Sequence, residues 1–183
     1  MKVLAIVGLT GSGKSEVAKI FEEKDFIKIR FGDITDEELR RRGLERNENN
    51  ERYIRELLRR EYGMSAYAKL NLIRIDSALK QSNVVIDGLY SWEEYTFLKS
   101  YYGGNSYLVA VWASPKTRYE RLMKRPERPL TLEEAASRDI AEIENLDKSK
   151  PIAMADFLIV NESSLKTLRK EIERIVSTLK SQN

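Results

Sequence analysis

Five short apolar runs punctuate the chain, and stretches of helical period separate them. Val3-Leu-Ala-Ile-Val7 contains no polar position, the pattern of a strand covered on both faces. Phe26–Phe31, Val84–Ile86 running into Asp87-Gly88, Tyr107–Trp112 and Phe157–Val160 predict four more strands. Apolar residues recur every three or four positions over Ser15–Glu23, Thr35–Arg42, Arg52–Tyr62, Ser65–Lys80, Trp92–Tyr101, Lys116–Lys124, Leu132–Lys148 and Leu165–Lys180, which predicts helices there. Strands alternating with helices require right-handed crossovers, so the expected fold is α/β: a five-stranded parallel sheet between two helical layers. Trp112 is expected in the core.

Two stretches exceed what a single crossover needs. Residues 33–79 lie between the second and third expected strands, and residues 125–139, bearing Pro126 and Pro129, lie between the fourth and fifth. Long excursions on the ligand side of such sheets carry function. They are expected to be a substrate-side insertion and a lid on a single domain spanning residues 1–183.

Composition narrows the chemistry. The chain has no histidine, so acid–base work falls to Asp, Glu, Lys or Tyr, and no cysteine, which removes disulfides and thiolate zinc sites. Hydrophobic residues make up 42% and charged residues 33%, a globular balance, and the absent cysteine, scarce Gln and Met and abundant Glu, Lys and Arg resemble the composition of hyperthermophile proteins. A net charge of +3 does not argue for a nucleic-acid partner. No apolar run reaches the length of a membrane span, and Val3–Val7 is too short for a leader, so a cytoplasmic location and no membrane partner are expected. The oligomeric state is left open.

Gly8-Leu9-Thr10-Gly11-Ser12-Gly13-Lys14-Ser15 fits G-x-x-x-x-G-K-[ST] without a mismatch, after an apolar strand and before an amphipathic helix. A loop that wraps an anion with its own N–H groups needs glycine at the close approaches, and the following helix adds its dipole. This loop is expected to hold the phosphates of ATP or GTP, with Lys14 reaching the β- and γ-phosphates and Ser15 on Mg²⁺.

Two carboxylates are candidates beside it. Asp87 ends an apolar strand and is a second Mg²⁺-side ligand, or else a cap or turn residue. Asp33, in Phe31-Gly-Asp33, is a candidate for accepting the proton of an attacking hydroxyl, or else the N-cap of the next helix. Arg118, Arg121 and Arg125 recur at helical spacing, and Arg128 and Arg138 follow. Guanidinium groups neutralise phosphoryl oxygens bidentately, which makes Arg121, Arg125 and Arg138 candidate catalytic cations and Arg121 a candidate nucleotide contact. The alternative is a basic face paired with Glu120, Glu127 and Glu133. Arg40–Arg42 and Arg59-Arg60 are expected on solvated helix faces.

Assembled, these residues resemble the P-loop NTPase small-molecule kinases, and among them an archaeal family that is adenylate-kinase-related and dephospho-CoA-kinase-like. The segments that carry the resemblance include Val7–Ser15, Phe31-Gly-Asp33, Arg42-Gly-Leu44, Val85-Ile-Asp-Gly88 with Ser91-Trp-Glu-Glu94, Ala113–Arg121, Ser137-Arg-Asp139 and Ala155–Asn161. The resemblance implies a substrate-binding insertion, a mobile lid, and Asn161 close to the nucleotide base. The chain departs from adenylate kinases at two points: Gly32-Asp-Ile-Thr-Asp36 and Asp87-Gly-Leu-Tyr-Ser91 lack the arginines that hold an acceptor phosphate there. The expected activity is Mg-ATP-dependent phosphoryl transfer to a nucleotide-like small metabolite, with AMP or a CoA precursor as possible acceptors. A dephospho-CoA kinase and a non-catalytic ATP- or AMP-binding regulator are the alternatives.

Overall fold

The computed structural model describes residues 1–126 and 129–181. In chain order its elements are β1 (Val3–Val7), α1 (Lys14–Glu22), β2 (Ile27–Arg30), α2 (Asp33–Arg41), α3 (Glu48–Tyr62), α4 (Ala66–Leu79), β3 (Val84–Asp87), α5 (Trp92–Tyr102), β4 (Ser106–Trp112), α6 (Pro115–Met123), α7 (Leu132–Glu144), α8 (Ser149–Ala153), β5 (Phe157–Val160) and α9 (Leu165–Ser181). The five strands form one parallel sheet in the order β2-β3-β1-β4-β5. Helices cover both faces, so the expected three-layer α/β fold is the one observed.

The uninterrupted apolar run of β1 follows from its central place, because alternate residues feed two cores. Val3, Ala5 and Val7 join Val84, Ile86, Leu108 and Ala110 beneath residues of α3, α4 and α5 such as Ile54, Tyr67, Ile75 and Leu98. Leu4 and Ile6 join Val85, Val109, Val111 and Ile159 beneath Val17 and Phe21 of α1 and Ile172 and Ile175 of α9. Since β3 and β4 flank β1, the loop leaving β1 emerges mid-sheet, next to the ends of both neighbours. In open parallel sheets this is where ligands bind.

Two expectations need correction. Trp112 is 46% exposed rather than core. It pairs in register with Val160 at the β5 edge, on the sheet face that Leu108 and Ala110 share, and Leu158 and Val160 are exposed there too. The helix expected over Leu132–Lys148 stops at Glu144 and resumes as α8 at Ser149. Between them Asp147 has φ 49°, a left-handed turn that a continuous helix cannot contain. That turn sends the next side chain, Lys148, inward. Residues 33–79 are filled by α2, α3 and α4. Glu127 and Arg128, expected within the lid, lie outside the described residues. Among the described residues no helix is long and apolar enough to cross a membrane.

Candidate functional site

The glycine-rich loop enters α1 through Gly13, which serves as the N-cap at φ 96°. No side chain caps this helix among the described residues, so its first turn presents backbone N–H groups and the positive end of the dipole. A β-carbon on Gly13 would stand 2.2 Å from Asn161 Nδ2, and the positive φ also disfavours any side chain. Asn161, just past β5, donates from Nδ2 to the Ser12 carbonyl at 2.9 Å, and its own N–H goes to the Trp112 carbonyl at 2.7 Å. The last strand is thereby bound to the loop. Ser12 Oγ is buried with no hydrogen-bond partner among the described residues. Lys14 Nζ donates to the Gly8 and Leu9 carbonyls at 2.9 and 3.0 Å. Burial first, and Lys148 second, push the Lys14 ammonium down to about 7.

Behind the loop stand residues whose roles the sequence did not mark. Arg118, 2% exposed, donates to both oxygens of Asp139 at 2.7 and 2.6 Å, to the Thr10 carbonyl at 3.1 Å and to the Ala113 carbonyl at 3.0 Å. It was expected among the lid cations; its donors instead fasten α6 and α7 to the loop. Glu142 of α7 accepts from the Thr10 hydroxyl and, at 3.3 Å, from the Thr10 N–H. Its other neighbour is Lys148, which donates to Oε2 at 2.8 Å. Burial opposes the charge on Glu142, but Lys148 and Lys14 overcome it and hold the carboxyl at about 2. A one-turn spacing from Arg138 to Glu142 was the only trace of this in the sequence, and their side chains do lie 3.6 Å apart.

Arg125 lies beyond the end of α6, exposed, and close enough to Arg138 and Lys14 to feel both. Although the residue as a whole is exposed, partial desolvation of its guanidinium and the Arg138 charge lower its pKa. Lys148 and Arg125 therefore act on Lys14 together with the carboxylates Glu142 and Asp87, and Arg138 adjoins this group through Arg125 and Glu142. Arg121 points the other way, towards Gly13 and Asn161, in a shallow groove lined also by Glu16, Ser163 and Leu168. Its Nη2 donates to the Asn161 carbonyl at 2.9 Å, and its Nη1 is buried without a partner among the described residues.

The opposite wall rises from β2, β3 and α5. Asp87 pairs in register with Ile6 of β1 and is 8% exposed. After it, Gly88 at φ 97° lets Tyr90 fold back, since a β-carbon there would stand 2.8 Å from the Tyr90 hydroxyl. Asp33 is the first residue of α2, whose N-cap is Gly32, so it is not the cap. Its carboxylate accepts from Arg30 Nη1 at 2.8 Å, and the same nitrogen serves Asp36 at 2.8 Å. Arg40 and Arg41 are exposed, with Arg41 paired to Glu38, so neither reaches this wall. Arg59, expected on a solvated face, is half-buried over the Tyr67 ring at 5.8 Å, and its Nε is buried without a partner among the described residues.

Glu94 is a further site residue that sequence reasoning passed over. It is 0% exposed; Oε2 accepts the Tyr90 N–H at 2.7 Å, and Oε1 has no partner among the described residues. Burial pushes its carboxyl up to about 7. The signal was present as Ser91-x-x-Glu94, a capping-box spacing, and Ser91 Oγ does accept the Glu94 N–H at 3.2 Å. The Glu94 carboxylate, however, reaches one residue beyond the cap, to Tyr90.

Comparison with known proteins agrees with this architecture. Residues 4–144 match the model of a family described as an AAA domain. A UPF0200 protein of Thermococcus kodakarensis is 36% identical over 181 residues, which cover 97% of each chain. Among solved structures, the shikimate kinase of Bacteroides thetaiotaomicron has a TM-score of 0.63 at 12% identity, covering 98% of both chains. The dephospho-CoA kinase of Campylobacter jejuni has a TM-score of 0.62 at 17% identity, covering 100% of both chains. At such identities these two structures speak to the fold alone. By its sequence matches the chain belongs to the UPF0200 family, and it is built on an AAA-type P-loop domain.

Proposed function

We propose that the chain is a Mg-ATP-dependent phosphotransferase of the nucleotide-kinase type, which moves the γ-phosphoryl group of ATP to a hydroxyl of a small, nucleotide-like metabolite. One observation carries this reading. The Lys14 ammonium lies against the loop's own carbonyls, with Lys148 and Arg125 close enough to act on it. Such a concentration of positive charge is unfavourable by itself and suits a polyanion.

Gly8–Ser15 would wrap the phosphates, Lys14 would meet the β- and γ-oxygens, and Arg121 with Asn161 would lie towards the base. Among the described residues no group of three or more His, Cys, Asp or Glu side chains is placed to hold a metal. This donor set fits Mg²⁺, which is carried largely by the phosphates and water and needs only a hydroxyl and a carboxylate from the chain. Ser15 and Asp87 would supply those, and the metal would neutralise charge on the β- and γ-oxygens. Helices α2–α4 form the acceptor side. The segment from 125 to 139 acts as the lid, hinged at the Arg118–Asp139 pair, and brings Arg125 and Arg138 over the phosphates. Asp33 orients or deprotonates the acceptor hydroxyl once released from Arg30. Arg59, rather than an arginine after Gly-Asp or Asp-Gly, answers the acceptor's charge.

A second reading is a nucleotide-binding regulator. It is favoured by the way Arg30 and Asp33 neutralise each other on the acceptor wall. Single-turnover assays with γ-labelled ATP and a panel of AMP, dephospho-CoA, nucleosides and hydroxy acids separate the readings. Label transfer to one acceptor class supports the phosphotransferase. Tight Mg-ATP binding with no transfer to any of them selects the regulator.

A further inference from the structure

Lys148 is buried as deeply as Arg118. It is 2% exposed, at the turn between α7 and α8, and Glu142 Oε2 at 2.8 Å is its hydrogen-bond partner among the described residues. An ammonium has three donors, so two remain for other groups. On its far side lies the Tyr90 ring, 5.7 Å from Nζ to the centroid. Glu142 in turn reaches the loop at Thr10. Lys148 thus spans the gap between the phosphate loop and the acceptor wall.

A lysine that served only to neutralise Glu142 would gain nothing from standing beside a second ammonium. Yet Lys148 is the strongest charged neighbour acting on Lys14, and it is felt by Glu94 across the site as well. The buried Lys148 and the half-buried Lys14, both within the field of Glu142, repel each other, and an anion placed between them removes that cost. The turn at Asp147 that breaks the α7–α8 run is what brings the side chain inward.

We propose that Lys148 is a catalytic residue directed at the phosphoryl group in flight, approaching it from the acceptor side while Lys14 holds it from the loop side. This inference rests on the phosphotransferase reading. In the step concerned, the acceptor oxygen bonds to the γ-phosphorus as the bond from that phosphorus to the β,γ-bridging oxygen breaks. The electron pair of the broken bond stays on ADP. The acceptor proton goes to a carboxylate of the acceptor wall, and the equatorial oxygens carry the charge that Lys148 meets.

The experiment compares the full-length parent with two variants, Lys148→Met and the double variant Lys148→Met/Glu142→Gln. The double variant keeps an oxygen for Thr10 and leaves no unpaired buried charge, so it folds even if the single one does not. Calorimetry measures Mg-ADP affinity with and without aluminium fluoride, a mimic of the transferring phosphoryl group. The parent is expected to bind Mg-ADP roughly 100-fold more tightly with the fluoride, and the double variant to lose that gain while its Mg-ADP affinity stays within about threefold of the parent. An equal gain in parent and double variant overturns the role of Lys148. So does a parent that binds Mg-ADP with no gain at all, or a double variant that loses Mg-ADP affinity as strongly as the gain. A parent that binds neither Mg-ADP nor Mg-ATP removes the phosphotransferase reading itself, a different failure visible before any variant is made.

Discussion

Arg118 and Asp139 meet through two parallel hydrogen bonds, Nη1 to Oδ1 at 2.7 Å and Nη2 to Oδ2 at 2.6 Å, where α6 and α7 adjoin the phosphate loop. The same Nη1 also donates to the Thr10 carbonyl, so one guanidinium ties α6, α7 and the loop together. Both partners are buried, and removing one strands the other. Arg118→Met is therefore expected to destabilise the fold by about 3–5 kcal/mol. Pairing it with Asp139→Leu restores much of that loss. Urea unfolding of the two variants and the parent checks this; a single variant as stable as the parent would return Arg118 to a dispensable surface role.

This pair also marks where the sequence stops being legible. The loop, the five strands and α2–α4 could be read directly, because glycine spacing and apolar periodicity are local properties of the chain. Arg118 could not be told from Arg121 or Arg125, since helical spacing places all three on related faces and only packing decides which is buried. By periodicity Glu142 and Lys148 belong to one long helix, and the break at Asp147 has no strong local signal: no proline or glycine lies between Leu132 and Lys150. Arg59 looked like a solvated arginine because its partner ring, Tyr67, lies on the next helix.

Asn161 tests how firmly β5 holds the loop. Its Nδ2 is the donor to the Ser12 carbonyl and would also clash with a side chain on Gly13. Asn161→Ala leaves the fold intact but frees the loop backbone, and Mg-ATP affinity should fall roughly 10-fold, the value of about one hydrogen bond in a preorganised site. Gly13→Ala should be worse, because the new β-carbon meets both the amide and an unfavourable φ. In the double variant Gly13→Ala/Asn161→Ala the clash is gone, and the backbone strain and the loss of the bond to Ser12 remain. Calorimetric affinities in the order Asn161→Ala, double variant, Gly13→Ala, from tight to weak, are expected. Indistinguishable affinities for parent and Asn161→Ala would remove the anchoring role.

Lys14 gives a proton-linked signature of phosphate binding. With burial and Lys148 pulling its ammonium down to about 7, the side chain is mostly neutral at pH 8.5 in the free protein. A triphosphate favours the charged form, so binding should take up close to one proton at pH 8.5 and almost none at pH 5.5. Titrating Mg-ATP in buffers of different ionisation heat reads this directly. Lys14→Met should abolish the uptake and weaken binding by about 10- to 100-fold, the loss of a charge-assisted contact. A binding heat independent of buffer at pH 8.5 would show that Lys14 does not change its charge on meeting the ligand.

Glu94 predicts an unusual dependence of stability on pH. Its carboxyl is fully buried with one oxygen unpartnered among the described residues, and burial raises its pKa from 4.5 to about 7 in the folded protein. Between those two values the folded state holds a proton that the unfolded chain has released. The folded state binds more protons there, so stability falls as the pH rises from 4.5 to 7 and levels off above 7. A shift of this size corresponds to a cost on the order of 3 kcal/mol at pH 8. Glu94→Gln keeps an oxygen for the Tyr90 N–H and carries no charge, so it should gain stability over the parent by that order at pH 8 and by little at pH 4.5. Lys14 also titrates in this range, but it is present in both proteins, and the difference between them isolates residue 94. Urea unfolding of both at pH 4.5 and pH 8 checks the sign. A gap that stays constant with pH would mean that Glu94 is ionised in the folded protein, with Arg59 and Lys148 as the neighbouring charges that favour that form.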